Sequence, residues 1–178
     1  MSYMRLLIVV AAAGLLSGCF VSKTPLFTPA DADYPIADGA RFTVWKIDPL
    51  GKRIDGAPDH LTVTRDGADY VYTLQDEKPV KGLTDDIGNG FFIALSRDMT
   101  KPGETSYALF HNTGTKWLRY APVCSDFARL AAEHGKSRAD FHIEPSGNDC
   151  AFKTYADLKA AMMFEARYGT PNAEYVAE

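Results

Sequence analysis

Residues 61–74, LTVTRDGADYVYTL, alternate apolar and polar side chains on either side of one Asp-Gly pair. Alternation with a period of two is the pattern of a half-buried strand. Asp66-Gly67 is a preferred pair at the centre of a tight hairpin, where the backbone takes positive φ and glycine does so at no steric cost. A turn on that pair sets Val63 opposite Tyr70 and Leu61 opposite Tyr72. These four side chains then share one face, with Thr62, Thr64, Asp69 and Val71 on the other. Turn chemistry and hydropathy agree, so an antiparallel hairpin is expected here.

The same rhythm extends both ways. On the N-terminal side, RFTVWKI (Arg41 to Ile47) is rich in β-branched and aromatic residues, and a Pro/Gly loop from Asp48 to Pro58 ends it. On the C-terminal side, DDIGNG (Asp85 to Gly90) reads as a loop, FFIALS (Phe91 to Ser96) as a central strand, and Met99 to Thr105 as a break. A second hairpin is expected in SYALFHNTGTKWLRYA, with Thr113-Gly114 at its turn, Leu109 facing Leu118 and Tyr107 facing Tyr120. Hairpin links without helical crossovers imply an antiparallel sheet.

The period changes after Val123. Ser125 as N-cap, the stripe Phe127, Leu130 and Ala131, and Gly135 as a stop predict a first helix. Asp140 to Pro145 alternates Phe141 and Ile143 with His142 and Glu144, which predicts one more strand. Thr154 with Asp157 resembles a capping box and opens a second helix that Gly169 and Pro171 close. Its stripe of Tyr155, Leu158, Met162 and Glu165 is apolar except at the end. The expected fold is therefore α+β, an antiparallel sheet of about six to seven strands, open or partly closed into a barrel, with two C-terminal helices. Residues 39–170 form the domain and 171–178 a tail.

The N-terminus obeys other rules. After Arg5, residues Leu6 to Leu16 are all apolar apart from Gly14. That run is too short to span a bilayer, which takes about 20 residues, and fits a secretory leader instead. Its end, Leu16-Ser17-Gly18-Cys19, resembles the lipobox of bacterial lipoproteins. The resemblance implies removal of residues 1–18 and a diacylglycerol thioether on Cys19 with an acylated new amino group. Two or more chains give stable anchoring without spanning. Phe20, standing where inner-membrane retention often shows Asp, implies the outer membrane and its periplasmic face. Residues 19–38, with three prolines, read as the lipidated cysteine and an extended tether.

Losing Arg5 takes the formal net charge from −4 to −5, and no basic cluster offers itself to phosphates, so nucleic acid is not an expected partner. With Cys19 lipidated, Cys124 and Cys150 remain to pair in an oxidising compartment, stabilising the fold by roughly 3 to 4 kcal/mol. No cofactor or metal is expected. His134 and His142 lack zinc-ligand spacing, and Asp31, Asp33 and Asp38 fail the EF-hand pattern because Pro35 occupies a ligand position. His142 and Glu144 share a face of the predicted strand but lack a third ligand.

No nucleophile elbow, phosphate loop or zinc-protease motif occurs, and no catalytic residue is assigned. The aromatic load of the β half has two readings. It fills a core, or some of it, Tyr70, Tyr72, Trp117 and Tyr120, forms a half-wet contact surface for a partner. The expectation is a non-enzymatic binding or structural module, lipid-anchored in the bacterial envelope, whose partner is another envelope protein or a cell-wall component. Two alternatives stand beside it. One is a periplasmic inhibitor of a cell-wall-degrading enzyme, similar in layout to lipid-anchored β-barrel lysozyme inhibitors. The other is an envelope hydrolase with an unrecognised site.

Overall fold

The computed structural model describes residues 20–97, 103–121 and 123–178. Cys19, the expected lipidation site, lies outside them. Eight strands close into a barrel: β2 (Ala40–Lys46), β3 (Asp59–Asp66), β4 (Asp69–Leu74), β5 (Val80–Gly88), β6 (Phe91–Arg97), β7 (Thr105–Asn112), β8 (Trp117–Tyr120) and β11 (Ala173–Ala177). Each is antiparallel to its neighbours, in sequence order around the wall. Helices α1 (Cys124–Glu133) and α2 (Tyr155–Tyr168) lie between β8 and β11 in the chain. The expected α+β sheet with two C-terminal helices is thus present, with more strands than predicted.

β11 closes the ring. It pairs with β2 (Tyr175 opposite Val44) and with β8 (Tyr175 opposite Trp117). Residues 171–178 are therefore the last stave and not a tail. Ala173 and Tyr175 are buried inside, a composition too short and mixed to reveal a strand by period alone. On the outer wall Glu174 is buried and ion-paired with Arg53 and Lys116. Burial raises its carboxyl, but hydrogen bonds from Lys116 and Arg53 outweigh that and hold it below the usual glutamate range.

Both hairpins form, each shifted by two from the expected register. Val63 faces Tyr72 and Leu61 faces Leu74, because Gly67 and Ala68, not Asp66 and Gly67, are the central turn residues. Only Gly67 of that pair has positive φ (61°), the requirement of a type II′ turn with glycine first. Likewise Leu109 faces Tyr120 and His111 faces Leu118, across a longer loop in which Thr113 N–H bonds the Lys116 carbonyl. A shift of two leaves every side chain on its predicted face.

The segment expected to be a tether is built into the domain. β1 (Phe20–Ser22) pairs with Thr105–Tyr107 of β7, the stretch of that edge that β8 leaves uncovered. On its other side it pairs with β10 (Asp149–Ala151), which pairs with β9 (Glu144–Ser146). Phe20, 1% exposed, packs on Phe127 and Phe152. The chain then crosses the wall, burying Phe27, bridges Asp33 to Thr84, and fixes Ile36 through its N–H and carbonyl to the Tyr70 hydroxyl. The prolines suggested a spacer, yet Phe20, Val21 and Phe27 bury enough apolar surface to hold the backbone down.

Three smaller expectations change. β5 continues through Asp85 to Gly88, so the expected loop shrinks to a bulged turn. The strand expected over Asp140–Pro145 is present only at its end, where β9 starts at Glu144: before it a 3-10 turn at Arg138–Phe141 buries Phe141, and His142 takes a left-handed conformation (φ 49°). Helix α1 starts at Cys124, not after a Ser125 cap. The disulfide from Cys124 to Cys150 is present and fixes that end to β10. Thr154 caps α2 as expected, accepting from the Asp157 N–H.

Two cores result. One fills the barrel with Val44, Val63, Tyr70, Tyr72 and Tyr175; the other lies between the outer wall and the helices, with Ile93, Leu109, Phe127, Leu158 and Met162. Deleting residues 173–178 should expose the edges of β2 and β8 together. We expect loss of the cooperative urea transition and self-association by light scattering; a monomer with an unchanged midpoint would contradict closure as the organising contact.

Candidate functional site

Barrel closure decides the fate of the aromatic surface expected from the sequence. Tyr70 and Tyr72 point inward and are buried, Tyr120 is buried on the outer wall under the helical layer, and Trp117 is half-buried against Phe92. The three tyrosines are core residues, not a contact face, because alternation assigns sides of a strand without saying that both sides will be covered. The Tyr70 hydroxyl is consumed by the Ile36 backbone. Arg119 shares this inner face with its neighbour Phe110 and hydrogen-bonds the Tyr175 hydroxyl.

The space left inside the barrel, between Phe42, Tyr72, Phe92, Phe110 and Trp117, amounts to about 40 Å³. Small-molecule sites take roughly 300 to 1,000 Å³. The interior is packing, not a ligand chamber.

A larger concavity lies on the helical side, an open groove of about 590 Å³. Phe91 from the start of β6, Phe141 from the 3-10 turn, and Ala160, Met163 and Phe164 from α2 make its apolar part. Phe164 is wedged among Phe127, Phe141 and His134, which sets the floor. Met163, 39% exposed, is one of few large apolar side chains left open to water. The polar part comes from His134, Lys136, Arg167 and Tyr168. His134 stacks on the Tyr168 ring at 3.9 Å and the Arg167 guanidinium lies 5.1 Å above the same ring. Those contacts orient the Arg167 guanidinium at the C-terminal end of α2, where positive charge suits the helix dipole. Neither Lys136 nor Arg167 joins a salt bridge among the described residues.

The remaining candidates are local braces. His60 bonds Glu178, His111 stacks on Phe91, and His142 bonds Asp157 at the α2 cap and not Glu144. Asp31 accepts from Thr28, Asp33 from the Asp86 N–H, and Asp38 from the Arg65 N–H, so these three carboxylates pin backbone. Among the described residues no cluster of three His, Cys, Asp or Glu could hold a metal.

One group went unassigned in the sequence although its stripe showed it. Glu165 ends the apolar face of α2, is buried, and leaves Oε2 without a partner. Burial first, then the Asp126 charge, pushes its carboxyl up to about 7. A side chain at Gly169 would collide with this carboxyl, which explains the glycine there. Comparison with family models, curated proteins and solved structures finds no match for this chain.

Because the folded pKa of Glu165 is raised, its proton is bound more tightly in the native state, and stability falls as pH rises from about 4.5 to about 7. Glu165→Gln should remove that fall. By urea titration the variant should gain on the parent by up to about 3 kcal/mol between pH 5 and pH 8. Parallel pH profiles for the two proteins would show that the carboxyl is not desolvated.

Proposed function

We propose that the mature chain is a non-enzymatic binding module of a bacterial cell envelope, lipid-anchored through Cys19 to the outer membrane on its periplasmic side. The lipobox-like run Leu16 to Cys19 supports the anchor, and the Cys124–Cys150 disulfide suits an oxidising compartment. No helix among the described residues is long and apolar enough to cross a membrane.

The observation that carries the binding reading is the contrast between the two concavities. The barrel interior is filled, whereas the groove under Phe91, Met163 and Arg167 has ligand-sized volume, an apolar floor and cations at its edge. A rigid wall behind two packed helices is a suitable platform for capture, since the groove residues are positioned before any partner arrives.

The anchor would have no slack. Phe20 is buried and its backbone is paired on both edges of β1. The described chain therefore adds no flexible spacer between such an anchor and the barrel wall. The module would then sit against the bilayer and meet partners at the membrane surface instead of reaching across the compartment.

Intact-mass measurement of the protein purified from native membranes is expected to give a chain starting at Cys19 with acyl chains. A spacer of about 12 Gly/Ser residues inserted before Phe20 should leave folding intact while changing which envelope proteins crosslink to it. A chain starting elsewhere, or without fatty acyl groups, would remove the anchor from this proposal.

A further inference from the structure

The groove separates its chemistry along α2. Ala160 and Met163 lie mid-helix, about two turns and one turn before Arg167, and Arg167 and Tyr168 lie at its end. Seven residues of helix separate Ala160 from Arg167, about 10 Å along the axis. Lys136 joins the cationic end from the chain that follows α1, with the His134 ring beside it. The carboxylate whose field reaches Lys136 is the exposed Asp140, and that group already accepts from the Ser137 N–H and hydroxyl. One guanidinium and one ammonium group thus line the groove in a chain of net charge −4.

We infer that this groove binds one acyl chain of an anionic lipid, its hydrocarbon along Phe91, Ala160 and Met163 and its charged head at Lys136 and Arg167. This deepens the binding-module reading and rests on it, but does not require the Cys19 anchor. An acidic peptide would match the cations equally well. Its backbone, however, brings an N–H and a C=O at every residue, and desolvating them against Phe91 and Met163 without partners is costly. An acyl chain carries no such groups. Its contact covers the exposed Met163 with purely apolar surface, while Arg167 and Lys136 give charge-assisted hydrogen bonds to a phosphate or carboxylate. Membrane lipid is also the ligand present at highest local concentration if the module lies flat on a bilayer.

The test uses the full protein in phosphatidylcholine nanodiscs, with methionine methyl groups labelled by carbon-13. Met163 is the exposed reporter, and the adjacent Met162, wholly buried in the core, is the internal control for folding. Titration with 16-carbon lysophosphatidylglycerol should shift the Met163 methyl resonance saturably and leave Met162 unmoved. The phosphatidylcholine analogue with the same chain should bind at least about tenfold more weakly. Paired substitution of exposed Lys136→Ala and Arg167→Ala should weaken lysophosphatidylglycerol at least about tenfold, the loss of two solvent-exposed ion pairs, with the Met162 resonance unchanged. Met163→Glu, read through the Tyr168 ring signals, should abolish binding. Equal response to both lipids, or none to either, overturns the inference. Saturable binding of a hexaglutamate peptide in place of lipid overturns it in favour of an acidic protein partner. In every case the mass of the native protein decides the anchor separately.

Discussion

Closure of the barrel depends on one strand finding two partners at once. β11, at the end of the chain, must pair with β2 near the start and with β8 before the helices. Until it does, both partners present unpaired backbone edges. Ring closure over such separations costs chain entropy that grows slowly with length, and it is offset by burial of Ala173 and Tyr175 inside and by the Arg53–Glu174–Lys116 cluster outside. Everything else in the fold presupposes it. The aromatic interior becomes a dry core only when the wall has no gap, and the helical insertion has a surface to pack on only when β5 to β8 form a continuous curved sheet.

The helices cover part of that wall, and the N-terminal segment covers more. β1 occupies the edge of β7 beyond the reach of β8, so two strands far apart in the sequence share one lane. The disulfide ties α1 to β10, which itself pairs with β1. These links fix the helical layer as a unit, and the groove follows from that arrangement. α2 rests on Met162 and Leu158, which turns Met163 and Ala160 away from the core, and Phe164 spans to α1 and the 3-10 turn. An apolar helix face too broad for the surface beneath it leaves an open apolar floor. The cations at its end come from a helix terminus and from the residue after a glycine stop, positions that tolerate charge for dipole reasons.

Faces and registers carried different amounts of information. In the β3–β4 and β7–β8 hairpins, alternation placed each side chain on its observed face, while the expected pairing was off by two in both. The physics explains the parity of the error. Slipping by one residue would bury threonines and expose tyrosines, a large cost, whereas slipping by two keeps every apolar side chain inside. Register is then decided by turn geometry and by the stagger that a closed ring imposes on all its strands. Gly67 could serve first or second in a turn; the ring selected first.

What the chain determined by itself was local and periodic. The hairpin at Leu61–Leu74, the helix capped by Thr154 and the pairing of the two later cysteines all follow from spacing, caps and composition. Tertiary structure decided the rest. Residues 20–38 and 171–178 carry no strong period, and they became β1, a strap and the closing stave only because the wall offered them unpaired edges and apolar hollows. The fate of Tyr70, Tyr72 and Tyr120 was of the same kind. A strand pattern says which side chains travel together, but whether their side meets water depends on which distant segment covers it, and that is a property of the assembled barrel.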